Sequence, residues 1–484
     1  MWKTFATVVA MLVWGAGLAA STPALVRTAL ADCRRQSPAL QPFLRYLSLE
    51  ALPPAERPLF LKALAFHVNS LSREAEVVSP RVVAEDLVVL NLQDYGWKTA
   101  VYDKLADRDP YDHVRLEKIV EEKDVQEVGY RQPGGGWVTT GTRPILKKVK
   151  KQFTAAAPWL PATEIAELIQ RTQSQAPLLR ADWFLVQTAI QVNRGGAGYY
   201  DFLGLKKRAD VEKLVALDRQ AAQRVRREVA AIIAESGVAL NNRQVYRFQS
   251  VTGGYWETRD VNNNAEQRNA LRVLNGDFVH DAEEIYGVLP NGLFVLAASN
   301  AQGVLQDTVP DSIAADRLST SNDLRIHPGL SCIRCHVEGL RPLDDWARKF
   351  YQGDVKLQAV DYAKLQRLRQ LYLGDLARWL RRDREDYAEA LLKVNGLSPA
   401  ENAQAYARVW QRYQDTPVAG AQLARELGLP EDRLQAALRQ YAQTKGQLDV
   451  ILLGYLKQPE LPARREHIEE IFALAHEVVK GYLP

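Results

Sequence analysis

Sulfur-bearing residues are nearly missing from this chain. Its 484 residues include two methionines, Met1 and Met11, and three cysteines, Cys33, Cys332 and Cys335. Three cysteines over that length exclude a disulfide framework. Both methionines fall in the first dozen residues, so removal of that segment leaves a chain without methionine. An excess of charge is missing as well, because 62 basic against 58 acidic residues leave a net +4. That is far from the basicity of a dedicated nucleic-acid binder, and no nucleic-acid partner is expected. No repeat of about 20–50 residues recurs, which argues against a solenoid or a propeller. The rest is ordinary globular material, 47% hydrophobic and 25% charged with 29 Gly and 23 Pro. Such a composition excludes wholesale disorder, a collagen-like chain and a polytopic membrane protein. At about 150 residues per domain the length suffices for about three domains.

Residues 1–21 read as an export signal. Lys3 supplies the positive start, the stretch from Phe5 to Ala20 is uncharged and mostly apolar, and Gly17 and Ala19 precede one possible cleavage site. A second A-x-A site, Ala29-Leu30-Ala31, lies further from the apolar stretch. Sixteen residues fall short of the ~20 that a membrane span needs. A cleaved signal is therefore expected, with no integral span in the mature chain and a periplasmic or otherwise extracytoplasmic location. Cys33 invites a lipoprotein reading, but Asp32 stands where a small neutral residue would be needed.

Apolar spacing predicts helices over 38–49 and 55–72, separated by Pro53-Pro54, and a short strand over 88–92 that ends at Asp94-Tyr95-Gly96-Trp97. Residues 126–138 contain Pro133-Gly134-Gly135-Gly136 and read as a loop or a loose hairpin; without a following Gly-Lys-Ser/Thr they are no phosphate loop. Lys147, Lys148, Lys150 and Lys151 form a basic run that suits a solvated face or an acidic partner. A long amphipathic helix is predicted over 211–236, and a small sheet over 245–297 with turns at Gly253-Gly254 and Pro290-Asn291-Gly292. From Leu343 onward the pattern is helical, with Leu365, Leu368, Tyr372, Leu376 and Trp379 on one buried face. Residues 422–438 have helix-turn-helix spacing around Gly428, read here as two short helices packed across a turn rather than as a DNA reader.

The expected fold class is α+β and mainly α-helical, with a small central β-sheet region and a helical C-terminal region. The expected divisions are the signal at 1–21, a helical region with short strands at 38–175, an α+β region at 176–320, a segment holding Cys332 and Cys335 at 321–355 and a helical region at 356–484.

Chemistry concentrates at Cys332-Ile333-Arg334-Cys335-His336, which has the C-x-x-C-H pattern of c-type haem attachment. Thiols at i and i+3 on one helical turn can each form a thioether with a haem vinyl group, and the histidine at i+4 shares their face and can ligate the iron. Three other readings compete. A thioredoxin-like dithiol needs a βαβ setting that the flanks do not suggest. A zinc site needs four ligands, so distant histidines would have to complete it. A five-residue pattern also arises by chance. No Ser-His-Asp arrangement, H-E-x-x-H or second C-x-x-C-H is present, which argues against a two-haem peroxidase. Asp182, Trp183, Asn242, Arg243, Glu283 and Glu284 are candidate pocket residues, for which capping and surface solvation is the plainer reading.

Several segments recur in a known order: Arg180-Ala181-Asp182-Trp183-Phe184, Tyr200-Asp201-Phe202-Leu203, Asn241-Asn242-Arg243, Gly254-Tyr255-Trp256, His280-Asp281, Leu289-Pro290-Asn291-Gly292-Leu293 and Leu330-Ser331 before the motif. With Asn69-Ser70-Leu71-Ser72 and Asp94-Tyr95-Gly96-Trp97, they resemble a family of large exported bacterial proteins described as c-type cytochrome-domain proteins, over roughly residues 40–440. Members often read His-Asp-Gly-Gly-Glu where this chain has His280-Asp281-Ala282-Glu283-Glu284. The resemblance implies haem binding and electron transfer, with no assigned substrate.

The expected protein is thus an exported carrier of one covalent haem c, passing electrons to an extracytoplasmic redox partner, with Cys332 and Cys335 as attachment points and His336 as proximal ligand. The alternatives are a haem enzyme or ligand sensor with an open sixth iron position, and a structural protein in which haem stabilises the fold. Methionine ligation is closed once residues 1–21 leave, so His280 is the expected sixth ligand, ahead of an open position and of His327. His67 and His113 are read as ordinary core or surface residues, and His467 and His476 sit in the C-terminal helix beyond the stretch of the resemblance.

Overall fold

The N-terminal region wraps helices around a four-stranded sheet. In the computed structural model, the described residues are 22–111, 116–131, 137–155, 161–191, 197–225, 227–234, 236, 239, 241–270, 278–309, 313–316, 325–348, 366, 369–372, 374–444 and 447–480. The expected signal at 1–21, the Pro133–Gly136 turn, His113, Leu365 and Leu368 lie outside them. Helix α1 (Thr22–Arg35) turns Leu25, Val26, Ala29, Leu30 and Cys33 into one apolar cluster. Ala29 and Leu30, at the second A-x-A site, are therefore packed inside a helix. Strand β1 (Leu44–Ser48), helix α2 (Arg57–Ser70), strands β2 (Arg81–Ala84) and β3 (Leu87–Asn91) and helix α3 (Thr99–Ala106) follow. A long hairpin of β4 (Leu116–Arg131) and β5 (Trp137–Ala155) forms a sheet of its own and sets Lys148 opposite Glu122 in register. Helix α4 (Ala162–Thr172), strand β6 (Leu178–Arg180) and helix α5 (Ala181–Thr188) complete the region, in the strand order β2-β3-β1-β6.

The helix expected over 38–49 is in fact a 3₁₀ turn (Gln41–Phe43) followed by β1. Leu44 and Tyr46 enter the α1 cluster, whereas Leu47 enters the main core, so both faces of the strand are buried. An apolar run covered on both faces loses its alternation and can imitate helical spacing. Arg45 is fully buried within it and donates from Nη1 to the carbonyls of Pro42, Leu44 and Thr172.

The region before the motif is also divided differently from expectation. Helix α6 (Tyr199–Leu203) precedes α7 (Arg208–Leu214), α8 (Arg219–Arg224) and strand β7 (Glu228–Ile233), which replace the single helix expected over 211–236. Ala216 adopts φ 51°, a left-handed conformation that ends a helix, and Asp218 caps α8 by accepting from the Ala221 amide. Strands β8 (Arg243–Gln249), β9 (Gly254–Asp260), β10 (Ala282–Val288) and β11 (Phe294–Asn300) form, as expected, a sheet around the two predicted turns. With β7 they make an antiparallel meander in the order β11-β10-β9-β8-β7. On edge strand β11 the amides of Leu296 and Ala298 donate to the hydroxyls of Tyr199 and Tyr200, which satisfies donors an edge would leave free.

After the sheet, a π-helical turn (Pro328–Cys332) runs into the short helix α9 (Ile333–His336). The C-terminal part is helical, as expected: α10 (Leu376–Asn395), α11 (Pro399–Trp410), α12 (Gly420–Glu426), α13 (Glu431–Thr444), α14 (Val450–Lys457) and α15 (Arg465–Lys480). Tyr372 and Leu376 are buried and Trp379 is partly so. The pair with helix-turn-helix spacing is α12 and α13, whose Leu423, Ala424, Leu434 and Leu438 are all core residues. One apolar cluster runs from Leu47 to Val479 and takes residues from all four regions expected after the signal. The fold is α+β and mainly α-helical. Among the described residues no helix is long and apolar enough to cross a membrane.

Candidate functional site

A close backbone approach seats the turn before the motif against the end of α5 and the start of α6. Gly329, in the π-helical turn, lies where a Cβ would meet the Ala189 carbonyl oxygen at 2.3 Å and the Tyr199 ring at 2.6 Å, so only glycine fits. The turn is held at its start by the His327 amide, which donates to the Ser331 hydroxyl at 3.0 Å. It delivers Cys332 buried, at 3% exposure, and Cys335 and His336 half-buried one turn later. No disulfide joins the three cysteines.

The His336 ring is fixed at both nitrogens. Nδ1 lies 3.3 Å from the Gly339 carbonyl oxygen, which can only accept, so Nδ1 carries a proton. Burial lowers the pKa of the imidazole and keeps it neutral, against the pull of Glu284. A neutral ring protonated at Nδ1 presents a lone pair at Nε2, and the Tyr286 hydroxyl lies 3.1 Å from it. A backbone carbonyl on one ring nitrogen and a lone pair on the other is the usual preparation of a metal-ligating histidine, and here the Tyr286 hydroxyl stands where the metal would bind.

The sheet supplies the opposing wall. Its registers pair Arg243 with Ile233 and Val245 with Thr258, Thr258 with Glu284, and Trp256 with Tyr286. Because strand side chains alternate, these residues share one face. That face, the 340–344 segment and Leu380 of α10 enclose a cavity of about 420 Å³ into which Cys335 and His336 open. The volume lies within the ordinary range of small-molecule and cofactor sites.

A buried charge network underlies this wall. Arg243 donates to Asp260 through Nε at 2.5 Å and Nη2 at 2.6 Å, and also reaches Glu284 at 3.1 Å. Burial pushes the Glu284 carboxyl up, but Arg243, His336 and the Tyr286 hydroxyl together outweigh it and hold the group below the usual carboxylate range. Glu284 Oε1 lies 3.7 Å from the sulfur of Cys332, whose thiol is pushed well up by burial and then by that carboxylate. The Tyr286 hydroxyl also hydrogen-bonds Glu284. It has one proton and faces two acceptors, the Glu284 carboxylate and His336 Nε2. A metal accepting the Nε2 lone pair would release that proton entirely to Glu284.

One thiol and the imidazole of the turn open on a cavity with apolar and polar walls, as a haem held at Cys335 and His336 would need, while Cys332 lies buried behind them. The competing metal reading lacks ligands, since among the described residues no group of three or more His, Cys, Asp and Glu is placed to hold a metal ion. The dithiol reading lacks its βαβ setting, because the adjacent sheet is an antiparallel meander.

His280 is placed elsewhere. Its Nε2 lies 3.1 Å from Glu283 Oε1, and Glu283 occupies the opposite face of β10 from Glu284, where it pairs with Arg208 and accepts from Ser299 at 2.6 Å. Neither His280 nor His327 lines the cavity, and among the described lining residues His336 is the only histidine. Cys33 lies in the α1 cluster, separate from the core that contains Cys332. Asp182 is buried against Arg180 at 2.7 Å, away from the motif. Of the polar residues set aside from the sequence, Arg243 and Glu284 line the cavity; Tyr286 was not singled out. Its signal was the alternation Glu284-x-Tyr286, which becomes legible only once a register says which face meets the motif. The site rests on its own chemistry, for no family model, curated protein or solved structure matches the chain.

Proposed function

We propose that this protein is an extracytoplasmic mono-haem c-type cytochrome of the kind it resembles, transferring electrons through one haem held by thioethers to Cys332 and Cys335, with His336 as the proximal ligand. The observation that carries the reading is the His336 ring, held at Nδ1 by the Gly339 carbonyl and facing the Tyr286 hydroxyl with Nε2, in the wall of a cavity that Cys335 also lines. Bound there, haem supplies a one-electron iron couple. The chain holds the imidazole in one tautomer, covers the site with α10 and the 340–344 segment, and keeps the Glu284 carboxylate charged beside it through Arg243. An extracytoplasmic redox protein is the proposed partner.

One observation favours a second reading. His336 is the only histidine among the described cavity-lining residues, and both methionines belong to residues 1–21. An iron without a sixth side-chain ligand would suit a ligand sensor or a haem enzyme. The reduced absorption spectrum separates the two. Sharp low-spin bands indifferent to CO support electron transfer, whereas a high-spin spectrum that shifts with CO supports the sensor or enzyme. Absence of any haem spectrum from protein exported by a host that makes c-type cytochromes contradicts both.

A further inference from the structure

We propose that the arginine-rich start of α10, at the rim of the cavity, is the docking surface for an acidic redox protein, an inference that rests on the electron-transfer reading above and names the chemistry of its partner. The chain as a whole is nearly balanced, with a net charge of +4, so a local excess is informative. The first turns of α10 expose Arg378, Arg381, Arg382 and Arg384. Asp383, the only acid between Leu376 and Arg384, is 3% exposed and turned inward to Arg247. Glu385 and Asp386 come after the cluster, and Asp386 lies 3.7 Å from Arg382.

This spacing works against the helix. Arg378 with Arg381, Arg381 with Arg384, and Arg378 with Arg382 are like charges three or four residues apart, neighbours on the helix surface that repel one another. Arg378 also occupies the first turn, where the helix dipole favours acids. The cluster costs the fold stability, and a negatively charged surface set against it removes that cost. Its position supplies the use. Leu380 lines the cavity that His336 also lines, so Arg381 beside it and Arg384 one turn on stand at the rim. Arg341 is exposed and lines the same cavity. Trp346, two residues after the lining residue Asp344, is 42% exposed. Arginine and tryptophan are the side chains that most often anchor a protein interface. A bonded path also joins the cavity to this face. Trp256 lines the cavity and donates from Nε1 to Asp383 at 2.7 Å. Asp383 pairs with Arg247, whose guanidinium lies 4.2 Å from the centre of the half-buried Trp379 ring. A partner seated on these arginines is separated from the cavity by α10 alone.

The test follows electron exchange between the haem-loaded full chain and reduced flavodoxin, an acidic redox protein, by stopped-flow absorbance at about 0.1 M and about 1 M salt. Wild type is compared with Arg381→Glu plus Arg384→Glu, and with Arg433→Glu plus Arg439→Glu. The second pair makes the same change of charge on exposed positions of α13, which contributes nothing to the cavity wall. At the lower salt the α10 variant is expected to react at least about tenfold more slowly than wild type. The higher salt is expected to slow wild type and leave the α10 variant nearly unchanged. The α13 variant is expected to stay within about twofold of wild type, since screening confines the effect to nearby charges. A wild-type rate in the α10 variant overturns the inference, and so does an equal loss in the α13 variant. If the α10 variant fails to fold, Arg381→Gln plus Arg384→Gln takes its place, and a wild-type rate there overturns the inference. Wild type that sediments with phosphatidylglycerol vesicles, while its exchange with flavodoxin ignores salt, assigns the face to a membrane and also overturns it. A wild-type chain without haem, or with haem that takes no electron, instead overturns the electron-transfer reading itself.

Discussion

Two histidines of this chain, one buried and one half-buried, are held in defined states by their partners. His67 is fully buried, with Nδ1 3.0 Å from the Tyr406 hydroxyl and Nε2 2.7 Å from Thr188 Oγ1. Thr188 gives its own proton to the Phe184 carbonyl, so it accepts from Nε2–H, and Tyr406 donates to Nδ1. The ring has no lone pair left to offer and serves as a bolt between α2, α5 and α11. His336 holds the Gly339 carbonyl through Nδ1 and faces the Tyr286 hydroxyl with Nε2 in the cavity wall, where a ligand would displace that hydroxyl. Burial pushes the His67 pKa down to about 3 from 6.5, so the folded state disfavours the proton that the unfolded chain takes up below 6.5. Its contribution is complete above pH 6.5 and is lost as the pH falls toward 3, by up to about 1.4 kcal/mol per pH unit. Urea unfolding between pH 7 and pH 5 is expected to show that slope, and His67→Gln to show a shallower one. Equal slopes in the two proteins would remove His67 from the account.

At the scale of elements, the sheet and α10 are joined by one buried ion pair. Arg247 on β8 donates to both oxygens of Asp383 at 2.9 Å, and Trp256 Nε1 adds a third bond at 2.7 Å. Both charged side chains are at most 3% exposed. Gly254 at the start of β9 makes the approach possible, since a Cβ there would sit 2.1 Å from Asp383 Oδ2. Asp383→Ala leaves Arg247 buried without its partner, and a loss of about 3–5 kcal/mol is expected in chemical denaturation. Gly254→Ala, which pushes the same carboxylate away, is expected to lower stability in the same direction. Little change in both variants would mean that the pair is not what docks α10 over the cavity. The sheet itself was legible in the sequence, because Gly253-Gly254 and Pro290-Asn291-Gly292 punctuate β-favouring segments. The 38–49 and 211–236 segments were not, for reasons that lie outside local spacing. β1 is apolar on both faces because two clusters sandwich it, and the second segment is broken at Ala216, a residue with no sequence signature for a left-handed backbone. The motif was legible as chemistry and Arg243 and Glu284 as candidate pocket residues, whereas Tyr286 was not, since its face of β10 is chosen by long-range register. The same parity sets His280 beside Glu283, away from the cavity.

Over the whole molecule, the C-terminal helices are tied to the rest of the core and are no separable appendage. Arg465 of α15 bridges to Glu426 of α12 at 2.7 Å, and Glu426 in turn pairs with Arg180 of β6 at 2.8 Å, with all three nearly fully buried. Removal of residues 447–484 strips Arg465 from this chain and uncovers Phe472, Ala475 and Val479 contacts in the main cluster. Loss of cooperative unfolding is expected, read by circular dichroism during heating; a truncated chain that melts as wild type would contradict a shared core. That shared core is what sets the motif turn, the sheet face and α10 around one cavity, and covalent haem in that cavity is the central claim. The most direct measurement is denaturing gel electrophoresis of the exported protein with peroxidase staining, run beside Cys332→Ala, Cys335→Ala and the double variant. Haem that migrates with the denatured wild-type and single-variant chains, and is absent from the double variant, is the expected result. A wild-type band that carries no stain, or a double variant that keeps it, would contradict the account.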